Sequence, residues 1–143
     1  MKTVFFSIIF IVTLHAFDAS NGLKQQILEK ILTNISLNKE LIIWSDNKEL
    51  VGEFDKKDSF TTTADCKDAT LLILENKKNL DKACHEKAIF VLDYALLKEI
   101  PQSFGAIFWK KGRPNIVIIA PRAKQSSIII SEKLDDYLEE KIW

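Results

Sequence analysis

The sequence predicts a single α/β domain, a sandwich in which a mixed, mainly parallel sheet is flanked by helices and followed by a C-terminal β-hairpin and helix. Three short apolar runs carry this prediction, at residues 41–44, 70–74 and 88–92, with helical patterns between them. Such runs are typical of parallel strands buried on both faces. Residues 21–143 form one predicted domain, since no segment has the composition of an interdomain linker.

The first half of the domain is predicted to begin with a helix over residues 23–37, where leucine and isoleucine recur at helical spacing. Ser20 or Asn21 is its expected N-cap. A short helix over residues 48–54 follows the first strand. Residues 59–63 form an expected edge strand, because β-branched residues favour strands.

The second half contains further predicted helices at residues 80–86 and 94–99, the latter capped by Asp93. Residues 106–109 and 116–119 flank a segment rich in lysine, glycine and proline. This pattern predicts an antiparallel hairpin with a loop of several residues.

The end of the chain has the pattern of a last helix. Ser131 is its expected N-cap. The residues that form its apolar stripe are Leu134, Tyr137, Leu138 and Ile142.

The N-terminus has the pattern of an export signal. Lys2 gives a positive start, residues 4–14 form an apolar run, and Ala16 offers a small residue for cleavage. Residues 1–16 are therefore predicted to be a signal peptide, with cleavage as late as residue 20 left open. An uncleaved membrane anchor is the alternative, although the apolar run is short for crossing a bilayer.

The charge of the chain is balanced, with 20 lysine and arginine residues against 20 aspartate and glutamate residues. Such a balance gives no electrostatic reason to expect nucleic acid as a partner. The ordinary apolar content also argues against a disordered or low-complexity chain.

The chain contains two cysteines, Cys66 and Cys84. In an oxidising compartment an even pair predicts a disulfide. The alternative is a reactive thiol at Cys84 beside His85, but neighbouring residues on a helix point in different directions. Two cysteines and one histidine at these spacings are too few for a metal site, so no metal is expected.

Residues that carry chemistry are sparse, and the sequence predicts neither an enzyme nor a bound cofactor. The glycines are isolated, so no phosphate-binding loop follows a strand. Asp46, Glu75 and Asp93 follow the three predicted parallel strands, where α/β sheets place their binding sites. These three carboxylates leave open a small-ligand or anion pocket, although helix capping is the favoured role of Asp93.

The predicted hairpin carries a basic cluster. Lys110, Lys111 and Arg113 lie beside Trp109, and Arg122 follows at the next strand end. Such a cluster suits a phosphate, a lipid headgroup or an acidic protein surface. Lysines also protect exposed turns and sheet edges from aggregation, and the sequence leaves both interpretations open.

Several of these features follow one another in order along residues 64–139. Cys66 precedes an apolar strand, Asp93 ends the next strand, and residues 104–107 lead into the basic hairpin. Residues 128–134 then open the final helix. This order resembles the YfiR-like periplasmic proteins of Gram-negative bacteria.

The resemblance implies a non-enzymatic periplasmic regulator. Proteins of that group repress or tune an inner-membrane signalling protein, such as a diguanylate cyclase or a sensor kinase, by contact with its periplasmic part. Their regulation is linked to redox state through disulfides, and Cys66 occupies the matching position before the strand.

Aromatic and arginine side chains dominate the energetics of protein interfaces. The expected partner-binding residues are therefore Trp109, Lys110, Lys111, Arg113, Arg122, Tyr137 and Trp143. The alternative is a periplasmic small-ligand or anion-binding protein with its pocket at the strand ends. Apolar helix faces also leave a homodimer open.

Overall fold

The computed structural model describes residues 16–58 and 60–143. The elements of its first half, in chain order, are α1 (Ala16–Leu32), β1 (Ile35–Ser36), β2 (Ile42–Ser45), α2 (Lys48–Lys57), β3 (Thr61–Thr62), β4 (Leu71–Leu74) and β5 (Ala88–Val91). Those of the second half are α3 (Tyr94–Glu99), β6 (Ser103–Lys110), β7 (Arg113–Ile119), α4 (Ala120–Gln125), β8 (Ile129–Ile130) and β9 (Leu138–Glu139).

Seven of these strands form one mixed sheet in the order β3-β2-β4-β5-β6-β7-β9. The strands from β3 to β6 are parallel to one another, whereas β7 runs antiparallel to β6 and β9 runs parallel to β7. When β2 is counted as the first strand of this sheet, the strands from β3 to β6 have the spatial order 2-1-3-4-5, which is a doubly wound order. The predicted fold class, an α/β sandwich with a mainly parallel sheet, is confirmed.

Both faces of the sheet are covered. Leu71 and Ile73 of β4 pack into one cluster with α1 and α2, while Leu72 and Leu74 pack into a second cluster with α3. All four side chains are fully buried, and each such burial contributes about 1.5–3 kcal/mol. This alternation explains why the predicted apolar runs lack polar residues.

The predicted end of the first helix is wrong, because α1 ends earlier and residue 35 belongs to a strand. The side-chain amide of Asn34 donates to the carbonyl oxygen of Lys30 at 2.7 Å and so satisfies one of the last helical carbonyls. Ile35 then pairs with Ile130 in a small antiparallel sheet of β1 and β8. That pairing joins distant parts of the chain, so local periodicity contains no sign of it.

The predicted N-cap is also wrong, since Ser20 and Asn21 lie inside α1, which is described from Ala16 onward. Serine and asparagine are tolerated in a helix interior at a small cost. Apart from Ala16, the predicted signal peptide lies outside the described residues.

The predicted helix over residues 80–86 is wrong, because this segment contains only a short 3₁₀ turn, Lys82–Cys84, and a second such turn, Lys77–Asn79, precedes it. The side chain of Asp81 accepts a hydrogen bond from the backbone N–H of Ala83 at 2.9 Å. Such local bonds from aspartate to the backbone compete with a continuous helix.

The last predicted helix is a 3₁₀ segment followed by β9. Ser131 does cap it, accepting a hydrogen bond from the N–H of Lys133. The predicted single stripe is wrong, because Leu134 and Leu138 pack on the α1 side of the sheet while Ile142 packs on the other. Pairing with β7 draws the chain into an extended form at Leu138.

A disulfide joins Cys66 and Cys84, as the sequence predicts, with an S–S distance of 1.99 Å. Both cysteines are buried, and they tie the turn before β4 to the turn before β5. The bond therefore fixes the entry points of the two central strands of the sheet.

Replacing both cysteines, Cys66→Ala with Cys84→Ala, is expected to lower the free energy of unfolding by about 3 kcal/mol. The reason is that the bond closes a loop with a sequence separation of 18 and restricts the unfolded chain. Urea unfolding measures the change. Dithiothreitol should destabilise the wild type by a similar amount and leave the double variant unaffected, and a wild type indifferent to reductant would contradict this assignment.

Gly105 allows β6 to lie close to its neighbours. A Cβ atom at this position would approach the carbonyl oxygen of Val117 to 2.8 Å and the ring of Phe90 to 2.8 Å. Backbone on one side and a buried ring on the other leave little room for relaxation.

Gly105→Ala is expected to lower the free energy of unfolding by about 1–3 kcal/mol through overpacking. Gly52→Ala is the matched control, because nothing lies within 4 Å of its Cβ position. Gly52 lies inside α2, so the control should gain about 0.5–1 kcal/mol. Equal effects of the two substitutions in urea unfolding would refute the close approach at Gly105.

Candidate functional site

The predicted basic hairpin is present, but its turn is tighter than expected. Lys110 pairs directly with Arg113, so the turn contains only Lys111 and Gly112. Both turn residues have positive φ angles, 52° and 73°, as a type I′ turn requires. The predicted loop of several residues is therefore wrong, and the hairpin presents its cations on a well-defined two-residue turn.

Trp109 lies next to this turn and is 39% exposed. The Nζ atom of Lys24, on α1, lies 5.6 Å from the centre of the indole ring and 3.4 Å from a carboxylate oxygen of Glu75. The neighbouring Leu23 is also 39% exposed. The Lys24 ammonium thus joins the indole of Trp109 on β6 to the end of β4 through its contact with Glu75.

The cations of the turn are available for a partner. Lys110, Lys111 and Arg113 are all exposed, and none forms an ion pair within the described part of the chain. An acidic surface would therefore meet them without displacing an internal contact.

A groove of about 450 Å³ lies beside the hairpin, between α1 and the start of β7. We call it the α1 groove, and the residues that line it are Ile27, Lys30, Pro114, Asn115, Ile116, Asp136 and Tyr137. The Nζ atom of Lys30 donates to the hydroxyl of Tyr137 at 3.2 Å and lies over its ring. Tyr137 is therefore placed near the hairpin, as the interaction hypothesis requires.

Arg122 lies away from this surface. Helix α4 is not among the predicted elements, although Pro121 at its start is a recognised helix signal. From α4, the Arg122 guanidinium donates to the carbonyl oxygens of Leu97 at 2.7 Å and Ser103 at 3.1 Å. Ser103 begins β6, whose opposite end carries the hairpin, so Arg122 holds the fold together at the far edge. Partial burial lowers the pKa of Arg122 from its ordinary value.

Trp143 is 73% exposed but lies on the opposite face of the sheet from Trp109. Its backbone N–H donates to the hydroxyl of Tyr94 at 3.1 Å, and Tyr94 packs against Phe108 on the α3 side. The structure thus brings five of the seven predicted interface residues to one end of the molecule and separates Arg122 and Trp143 from them.

The acidic residues at the strand ends serve the fold. Asp46 accepts hydrogen bonds from the backbone N–H groups of Glu75 at 2.8 Å and Asn76 at 2.9 Å, and from the amide of Asn79 at 3.0 Å. It therefore links the end of β2 to the loop after β4. This is the point where a doubly wound sheet reverses its strand order.

The other two carboxylates also have internal partners. Glu75 pairs with Lys24 at 3.4 Å, and Asp93 accepts from the N–H of Ala95, which confirms it as the cap of α3. Within residues 16–58 and 60–143, no group of histidine, cysteine and acidic side chains is placed to hold a metal ion.

A cleft of about 510 Å³ opens beside Asp46, at the end of β2. Trp44, Ser45 and Thr63 line it together with Lys48 of α2. Trp44 and Thr63 lie at the ends of predicted strands but are not among the predicted site residues. The indole gives this cleft an aromatic wall, whereas the hydroxyls of Ser45 and Thr63 already bond to the backbone of Asn47 and Asp65.

Comparison with protein-family models and with curated proteins finds no match. The class assigned to the chain therefore rests on its geometry, which is that of a doubly wound α/β sheet extended by an antiparallel hairpin. The disulfide fits a chain that matures in an oxidising compartment. Every helix in the described part of the chain is too short or too polar to cross a membrane.

Arg122→Met is expected to lower the free energy of unfolding by about 2–3 kcal/mol, because buried carbonyls lose a charged donor. Lys124→Met, on the exposed side of the same helix, is the control and should change stability by less than about 0.5 kcal/mol. Chemical denaturation measures both. An unchanged free energy of unfolding in Arg122→Met would contradict a structural role for this arginine, which would then again be a candidate partner-binding residue.

Proposed function

We propose that the protein is a periplasmic, non-enzymatic regulator that resembles the YfiR-like group and acts by contact with the periplasmic part of an inner-membrane signalling protein. The observation that carries this proposal is Trp109, which is exposed at the end of the hairpin beside three exposed cations that form no ion pair with any described residue.

The chemistry of this surface is that of an interface centre. Tryptophan and arginine are the side chains most enriched among residues that dominate binding energy. Here Trp109 and Arg113 lie on the two paired strands that flank the turn, so little backbone freedom is lost when a partner binds. The cations favour an acidic partner surface and would accelerate its association.

The proposed location draws on two separate observations. The Cys66–Cys84 disulfide is of the kind that persists outside the reducing cytosol. Residues 1–16 have the order of charge, apolar run and small residue that marks an export signal.

A second candidate is a small-ligand or anion-binding protein with its pocket at the strand ends. The cleft beside Trp44 and Asp46 favours it. The predicted ligand set favours it less, because Asp46, Glu75 and Asp93 already have internal partners. We therefore place the hairpin surface first.

Deleting the gene in the cells that produce the protein is expected to raise their cyclic di-GMP level. Reintroducing the wild-type gene should return that level to its original low value. A gene that carries Trp109→Ala combined with Arg113→Glu should leave the cyclic di-GMP level high. The loss of one dominant anchor costs about 2 kcal/mol or more of binding free energy, which is roughly thirtyfold in affinity for the partner. Lys124→Glu is the matched control and should restore repression, because Lys124 follows the far end of β7.

Immunoblots of the exported protein must show equal amounts of each variant. An unchanged cyclic di-GMP level after deletion would exclude a cyclase as the target. Full repression by the Trp109 and Arg113 double variant would show that the hairpin is not the contact surface.

A further inference from the structure

Most of the outer edge of β7 has no described strand beside it. On one side β7 pairs with β6 from Arg113 to Ile118. On the other side β9 pairs only with Ile118 and Ile119. No described strand covers residues 113–117 on that outer side.

The hairpin register determines which backbone groups face outward. Lys110 and Arg113 close a two-residue turn, so they exchange both backbone hydrogen bonds, and the alternation then turns Asn115 and Val117 toward β6. Pro114 and Ile116 therefore direct their backbone groups away from the hairpin. Since proline has no N–H, Ile116 is the residue of this open stretch that offers both a donor and an acceptor.

The α1 groove runs alongside this open edge, because Pro114 and Ile116 belong to both. Residues 132–137 contact β7, but no described strand of the chain occupies this part of the edge. Residues 132–137 form a 3₁₀ segment that buries Leu134 in the core, so β9 cannot continue along β7. The result is a strand edge and an adjoining partly apolar groove of about 450 Å³ on the same side.

The charge around the open edge is mainly positive. Lys30 lines the groove, while Lys111 and Arg113 lie at the turn where the edge begins. Asp136 is the acidic residue of the groove lining. This arrangement complements an acidic strand and opposes a basic one.

We propose that the partner supplies an extended acidic peptide segment that adds to the sheet along β7, from Arg113 to Ile116. Its backbone bonds to the outward N–H and C=O of Ile116, one of its apolar side chains enters the α1 groove, and its carboxylates lie near Lys30 and Arg113. This mode is β-strand addition, in which backbone bonds give affinity and alternate side chains give specificity. The inference rests on the proposed function, because it describes how the partner binds at the same end of the molecule.

The first test uses a defined probe, a capped peptide of about eight residues in which glutamate and valine alternate. Titration into ¹⁵N-labelled protein is followed by amide chemical shifts and by hydrogen exchange. The expected result is saturable binding, with exchange at the Ile116 amide slowed at least tenfold. The same peptide with lysine in place of glutamate should bind at least tenfold more weakly.

The second test removes the outward donor. Ile116→Pro deletes the N–H that faces the groove but leaves the hydrogen bonds between β6 and β7 intact, as Pro114 already does. Ile116→Val keeps the donor and is the matched control. The proline variant should bind the acidic peptide at least tenfold more weakly than the valine variant. If the proline variant does not fold, Lys111→Glu combined with Arg113→Glu should produce the same loss.

Three results would overturn the inference. These are no binding at millimolar peptide, binding that leaves exchange at Ile116 unchanged, and a concentration-dependent dimer that protects Ile116 without peptide. In cells, normal repression by Ile116→Pro together with lost repression by the Trp109 and Arg113 double variant would reject strand addition and leave the proposed function standing. Normal repression by both variants would reject the proposed function as well.

Discussion

The burial of β4 and β5 on both faces is the constraint from which the rest of the structure follows. Their side chains alternate between two hydrophobic clusters, so helices must cover both sides of the sheet. No polar group of these strands is available for chemistry, and chemistry-bearing residues are displaced to the strand ends. There the carboxylates are used to join loops and cap a helix, as Asp46 and Asp93 show. The side chains and backbone groups that could contact a partner therefore lie where the sheet is incompletely covered.

The long hairpin is where that coverage fails. Strand β6 has 8 residues whereas its neighbour β5 has 4, so β6 extends beyond the layer that buries the sheet centre. Its side chains change from buried to exposed along its length, and Trp109 lies in the exposed part. The same mismatch of lengths occurs on the other side, where β9 has 2 residues and leaves residues 113–117 of β7 with no described strand on their outer side. An exposed aromatic side chain and an open strand edge thus have one structural cause.

Local signals in the sequence were sufficient for the centre of the fold and insufficient for its edges. The apolar runs, the Asp93 cap and the pair of cysteines each follow from a few neighbouring residues, and the structure contains all three. The end of α1 depends instead on the pairing of Ile35 with Ile130. The predicted last helix ends in a strand because Leu138 pairs with β7. The hairpin cations were predictable from composition. That Arg122 turns inward was not, because its carbonyl partners belong to α3, to the segment after it and to the start of β6.

If the hairpin end of the molecule meets an inner-membrane partner, photocrosslinking in living cells should detect the contact. A benzophenone side chain is introduced in place of Trp109 and, separately, in place of Lys124. We expect a crosslink from position 109 to one inner-membrane protein and none from position 124, which follows the opposite end of β7. Equal crosslinking from both positions, or crosslinking from position 124 alone, would contradict it.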